Sequence, residues 1–288
     1  MKRESLLLLL LISIFLNAHT QDTNNSIGIP SYLRDRGTGM RTSIFGTYIR
    51  KNELVVYPFF EYYSDKNFEY KPEELGYTVA TDYRGRFRAH EALIFLGYGF
   101  TDWLVMEVEA AVISSATLHK SPSDHSAMPF RLKEEGFGDV QIQFDFRWLK
   151  ETANRPEINS YFEINFPFQR HRKIIGTQDW EFKLGAGLIR GYSFGTIAVR
   201  IAAEYPVEEK KIKPGEYAIE YLKRISPVVR IYGGVEGNED EVELITEVQL
   251  HVNKKMYFKI NNAFGLSSKA PDWAPEIGVA FSFYKGND

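Results

Sequence analysis

The sequence predicts an all-β fold: an antiparallel up-and-down transmembrane β-barrel of about twelve strands. Three observations predict it. The chain opens on a secretory-type leader, most of the remaining chain alternates apolar and polar residues with period two, and the connections between the alternating segments are alternately long and short. Composition excludes the main competitors. The 288 residues are 44% hydrophobic and 25% charged, too polar on average for several apolar helices of roughly 20 residues each. With 21 Phe, 17 Tyr and 4 Trp the chain is not a disordered one. No cysteine is present, which excludes a disulfide scaffold, a cysteine-ligated metal site and a lipid-anchored lipoprotein. A net charge of −3 gives no reason to expect nucleic acid.

At the N-terminus, Lys2 and Arg3 precede an apolar run from Leu6 to Leu16 and a small-residue zone around Ala18, so residues 1–20 are assigned to a signal peptide. Residues 21–51 are assigned to a periplasmic or lumenal extension. Thr42–Ile49 looks strand-like, but counting it would give thirteen strands and break the parity of a closed antiparallel barrel.

The barrel is assigned to residues 52–284, and 285–288 to a tail. In Asp139–Trp148 every even position is apolar and every odd position polar, the signature of side chains pointing to opposite faces of a strand. The same pattern places strands over 52–63, 87–99, 102–113, 138–149, 157–168, 179–190, 194–205, 216–224, 228–236, 242–252, 256–266 and 275–284. Most match the roughly 9–11 residues of a tilted membrane strand. Long connections (64–86, 114–137, 169–178, 206–215, 267–274) alternate with short ones. The link 237–241 is of medium length where a long one is expected. Long loops face outward and short turns the periplasm in this class, so an even strand count leaves both termini in the periplasm.

Alternation alone does not say which face meets lipid. A soluble carrier barrel has its apolar face inside, whereas a membrane barrel is inverted. Charges at strand midpoints favour inversion. So do aromatic residues near strand ends, Trp148 and Tyr284 at the turns and Phe166, Phe168, Trp180 and Tyr205 at the loops. The expected location is therefore the bacterial outer membrane, with its lipid and lipopolysaccharide as partners.

The last strand, Glu276-Ile277-Gly278-Val279-Ala280-Phe281-Ser282-Phe283, resembles the C-terminal signal read by the outer-membrane assembly machinery. Tyr98-Gly99-Phe100-Thr101-Asp102, Gly136-Phe137-Gly138-Asp139-Val140 and Ala270–Gly278 are similar to the meta-pathway phenol-degradation family of outer-membrane channels. That resemblance implies a barrel passing small, often aromatic or hydrophobic, solutes by passive or facilitated diffusion. It brings no binding residues with it.

The alternation assigns to the lumen Glu107, Glu109, Asp145, Arg147, Glu163, Lys183, Arg200, Glu204, Arg230, Glu247 and Lys259. Such charges must be hydrated or paired. They are either an ion-pair network bracing the wall or a selective pathway in which excess carboxylate favours cationic and neutral solutes. Arg170, Arg172 and Lys173 form the densest basic cluster, a candidate for lipopolysaccharide phosphates or simply a solvated loop. Two alternatives stand beside the channel. One is a plugged structural or adhesion barrel, with loops 64–86 and 114–137 folded inward. The other is an outer-membrane lipid hydrolase drawing on His119, His125, Ser121, Ser123 and Asp124, although no G-x-S-x-G elbow is present. No catalytic residue, metal ligand set or cofactor is assigned.

Overall fold

The computed structural model describes residues 28–285; the leader assigned to 1–20 lies outside them. A short 3-10 turn (Ser31–Leu33) leads to a hairpin of two short strands, β1 (Met40–Arg41) and β2 (Tyr48–Ile49), paired Met40 to Ile49. The rest is one antiparallel sheet: β3 (Glu53–Tyr70), β4 (Tyr83–Gly99), β5 (Leu104–His119), β6 (Arg131–Gly136), β7 (Val140–Leu149), β8 (Glu157–Phe166), β9 (Glu181–Gly191), β10 (Thr196–Pro206), β11 (Lys213–Arg224), β12 (Val229–Gly237), β13 (Val242–Asn253), β14 (Met256–Gly265) and β15 (Ala274–Tyr284). Each strand pairs with its neighbour in sequence, and β15 closes on β3 from Glu276 opposite Glu61 to Tyr284 opposite Glu53. The exception is local: β6 and β7 pair with the outer and inner halves of β5 in one continuous register. They form a single stave interrupted at Phe137–Asp139, so the closed barrel has twelve staves.

Burial shows that the barrel is inverted. On the outside, Ile201, Ile219 and Leu184 are more than 60% exposed in mid-strand. Facing inward, Glu107, Glu163, Glu247 and Lys259 are at most 5% exposed. An apolar exterior around a charged interior, with every backbone group between strands paired, is what a lipid-spanning barrel requires.

Two features depart from the alternation. The short-turn half of the inner wall formed by β3–β5 is apolar: Val55, Tyr57, Phe59, Leu93, Phe95 and Val105 are buried in a cluster completed by Met40 and Ile49 of the hairpin. β3, β4 and β5 also run further outward than their period-two segments, and Arg131–Gly136, placed in a loop by the sequence, is a strand. Loops 64–86 and 114–137 are therefore corrected to 71–82 and 120–130. The physical reason is a β-bulge in each of two strands. Register shifts between Asp65 and Phe68 of β3, and at Val112–Ile113 of β5, where both side chains face outward at 46% and 60% exposure. One extra residue flips the facing of everything beyond it, so the pattern ends although the strand continues.

The extended part of β3–β6 is a flap rising above the barrel. Its inner face is covered by Tyr70, Leu118 and Met128 packed with Leu75, Tyr77 and Ile174. Ile175 of the β8–β9 loop packs on Ala89 and Ala116.

Candidate functional site: the barrel lumen

The lumen is built from the inward residues of the staves and from the N-terminal hairpin, which lies among them. The hairpin turn needs a left-handed residue, and Gly46 supplies it with φ +60°. The chain then passes so close to the wall that a Cβ on Gly99 would sit 2.1 Å from the Arg50 carbonyl oxygen.

Charged contacts hold the hairpin on three sides. Arg36 donates to Glu151 and Glu157, each at 3.0 Å, with all three side chains essentially excluded from solvent. Arg41 donates to both oxygens of Glu220, at 2.5 and 3.1 Å. The turn is gripped by Ser43 donating to Glu107, Lys259 donating to the Phe45 carbonyl at 2.7 Å, and Gln249 donating to the Gly46 carbonyl at 3.1 Å.

The sequence-assigned lumenal residues fall into three groups. The first is a chain of ion pairs along β8–β12. Lys183 pairs with Glu163 at 3.0 Å and approaches Glu216 at 3.8 Å. Arg200 meets Glu216, Glu220 and Glu236 at 2.6, 3.2 and 2.5 Å. Glu204 is half-buried near Lys183 and Glu163. The second group serves the hairpin. Arg147 pairs with Glu157 at 3.0 Å and donates to the Thr38 and Gly39 carbonyls. Lys259 pairs with Glu247 at 3.1 Å, while Asp145, held by Gln143 at 2.8 Å, stands beside Glu107. Arg230 lies opposite Arg224 across the β11–β12 pair, near Tyr48 and Tyr257.

The third group is acidic and contains residues missed by the alternation. Glu109 stands among Glu91, Glu107, Glu163 and Glu276. Cross-strand register aligns Ser114, Glu91, Glu61, Glu276, Asn261 and Glu247 in one row across β5, β4, β3, β15, β14 and β13. Glu91 accepts from Ser114 and Glu276 from Tyr57, but within the row only Glu247 has an ion-pair partner among the described residues. Glu61 and Glu91 escape a sequence reading because β3 and β4 carry apolar residues on both faces, which leaves no alternation to read. Arg36 and Arg41 escape it because their partners lie 115 to 179 residues away in the chain. At the short-turn end, a cavity of about 400 Å3 opens between the hairpin and the wall, lined by Thr38, Met40, Arg50, Asp102, Arg147 and Tyr284.

Arg170, Arg172 and Lys173 sit on the β8–β9 loop. Its backbone N–H groups at Lys173 and Ile174 donate to Glu134 at 2.8 and 2.9 Å, which draws the loop against the flap. Arg170 and Lys173 are exposed and Arg172 is half-buried. Most of the residues considered for hydrolysis are otherwise engaged, and Ser121 and Ser123 share a hydrogen bond at 2.9 Å. Asp124 accepts from Tyr70 and Ser126, His119 packs edge-on against Phe130, and His125 is exposed.

No family model matches the chain, and no curated protein matches it by sequence. Among solved structures, the chain resembles the COG4313 outer membrane channel from Pseudomonas putida F1 at 11% identity and a TM-score of 0.57, covering 82% of this chain and 97% of that one. It also resembles the translocator domain of the autotransporter NalP from Neisseria meningitidis at 9% identity and a TM-score of 0.51, covering 81% and 89%. The KdgM porin aligns at 8% identity with a TM-score of 0.49, covering 80% and 99%. At these identities the first two likenesses establish architecture: this chain has the closed β-barrel fold of bacterial outer-membrane proteins.

Proposed function

We propose that this protein is an outer-membrane channel for small solutes, narrowed by its N-terminal hairpin and preferring cationic or neutral cargo. The observation that carries the preference is the carboxylate row Glu91–Glu61–Glu276, with Glu109 close by, on the outer side of the hairpin. Those of these carboxyl groups that are ionised in the lumen, having no cation partner, raise the local concentration of cations and repel anions. The ion-pair chain along β8–β12 serves the wall instead, because its charges are neutralised in place. Bracing network and selective lining thus coexist on different arcs of the same lumen.

The chain carries motifs similar to a family of channels for phenolic compounds, which supports small aromatic or hydrophobic molecules as cargo, moving by diffusion. Hydrolysis has no comparable support, since Asp124 is engaged in holding its own loop. Assembly through the C-terminal Phe281 and Phe283 belongs to the same reading, and the exposed loop cations Arg170 and Lys173, with Arg172, add at most a secondary contact to lipopolysaccharide.

Planar-bilayer recording tests it. Single-channel steps and a cation-selective reversal potential are expected, with selectivity reduced in Glu61→Gln/Glu109→Gln. Anion preference would refute the charge assignment. Absence of conductance both in the intact chain and in a variant lacking residues 28–50 would refute transport.

A further inference from the structure

We infer that the outer face of the β4–β6 flap is a binding surface for the phosphates of an outer-leaflet glycolipid, which in this membrane is lipopolysaccharide. The inference rests on the membrane-spanning reading of the barrel and not on transport.

The surface is set by the register. In β4 the inward residues Phe87 and Ala89 pack into the flap's inner clusters, so Arg84, Arg86, Arg88 and His90 point outward, and all four are exposed. Cross-strand pairing places Arg86 opposite His119, which in turn lies opposite Arg131 of β6. One step down, Arg88 lies opposite Thr117, and Thr117 opposite Lys133. Two tiers of basic side chains therefore span three strands, Arg86 and Arg131 flanking His119 in one and Arg88 and Lys133 flanking Thr117 in the other, each about 10 Å wide at the ordinary strand spacing. The acids on this face pair at its margins, Glu69 with Arg84 at 3.4 Å and Glu135 with Lys133. Among the described residues Arg86, Arg88 and Arg131 have no carboxylate partner.

Position identifies the occupant. Directly below the tiers β4 turns apolar outward, with Ile94 and Leu96, and the β5 bulge presents Val112 and Ile113. His90 stacks over the outward ring of Phe60 at 6.3 Å and marks the boundary. Guanidinium groups immediately above an acyl-chain surface, at the long-loop end, match a molecule with phosphates over its chains. Arginine suits that task through paired N–H donors aimed at phosphate oxygens. The bulge takes part, since it turns two adjacent apolar side chains outward under the cations.

The test uses the full chain purified in mild detergent, with native mass spectrometry during titration of rough lipopolysaccharide and, separately, phosphatidylglycerol. Heat-modifiable gel migration confirms that each variant is a folded barrel. Arg86→Gln/Arg88→Gln/Arg131→Gln is expected to weaken lipopolysaccharide binding by about tenfold to a hundredfold, given three cations lost near a charged lipid surface. Arg170→Gln/Arg172→Gln/Lys173→Gln is expected to change it by much less. Three results would overturn the inference: unchanged binding in the flap variant, an equal loss in the loop variant, or equal binding of phosphatidylglycerol by the intact protein.

Discussion

Arg36 provides the sharpest test of how the hairpin is held. Its guanidinium bridges Glu151 and Glu157, and none of the three groups meets solvent. Replacing it with methionine keeps the volume and removes the charge. Breaking a buried pair from one side costs about 3–5 kcal/mol, because the partner is left charged and dry. Here the lower end applies. Glu157 keeps Arg147 at 3.0 Å, and Glu151 keeps the Gly191 N–H at 2.8 Å and Arg190 at 3.8 Å. When the hairpin leaves, both carboxylates meet water, so the loss falls almost entirely on the docked state. About 3 kcal/mol corresponds to roughly a hundredfold shift toward the undocked form. The chain has no cysteine, so Ile44→Cys introduces a single thiol, on a side chain packed against the inner cluster. Its maleimide labelling rate scales with the undocked fraction even when that fraction is small. The rate should rise about a hundredfold on adding Arg36→Met. Arg36→Lys should give a smaller rise, since one ammonium cannot reproduce a fork reaching two carboxylates. A rate unchanged by Arg36→Met would refute Arg36 as the latch and leave the hairpin to the Arg41–Glu220 pair, the hydrogen bonds at its turn and the apolar contacts of Met40 and Ile49.

The same geometry sets three other outcomes. Gly99→Ala should loosen the segment entering β3, because the new methyl group meets the backbone carbonyl of Arg50 and no flexible side chain can yield; faster labelling at Ile44→Cys reads this. Asp124 lies in the loop above the membrane. Burial alone would raise its carboxyl, but hydrogen bonds from Ser126 and from the Tyr70 hydroxyl outweigh burial and hold it below the usual aspartate range. A depressed value stabilises the loop above the unfolded-state pKa, near 4 by the ordinary value for Asp, and the stabilisation is lost as pH falls through the folded value. Limited proteolysis between residues 120 and 130 should therefore stay slow from neutral pH to about 4 and accelerate below it; Tyr70→Phe should move the onset to higher pH. Ile201→Arg, at an outward mid-wall position, should impair insertion into bilayers by about 2–4 kcal/mol, read from folding yields in lipid vesicles.

How much of this is legible in the sequence depends on where the governing interaction lies. Strands such as Val140–Leu149 are readable because one face meets lipid and the other charge, so each residue's neighbours in sequence carry the information. The twelve-stave closure comes from the same signal. The flap is hidden by single inserted residues: beyond Asp65 and beyond Val112 the phase inverts, and Tyr70 and Leu118 face inward from even positions where earlier inward residues are odd. The hairpin is hidden for another reason. Its short strands make few demands on sequence, and it is fixed by Glu107, Glu151, Glu157, Glu220 and Lys259, which come together only once the barrel has closed. The apolar wall of β3–β5 is the counterpart of that hairpin: Tyr57 and Phe95 are greasy on the inside because Met40 and Ile49 lie against the same surface. Loss of alternation in a membrane barrel strand is thus itself a signal. It marks the staves whose inner face is covered by protein, and here it falls on three strands whose apolar inner residues pack against the hairpin and which extend into the flap.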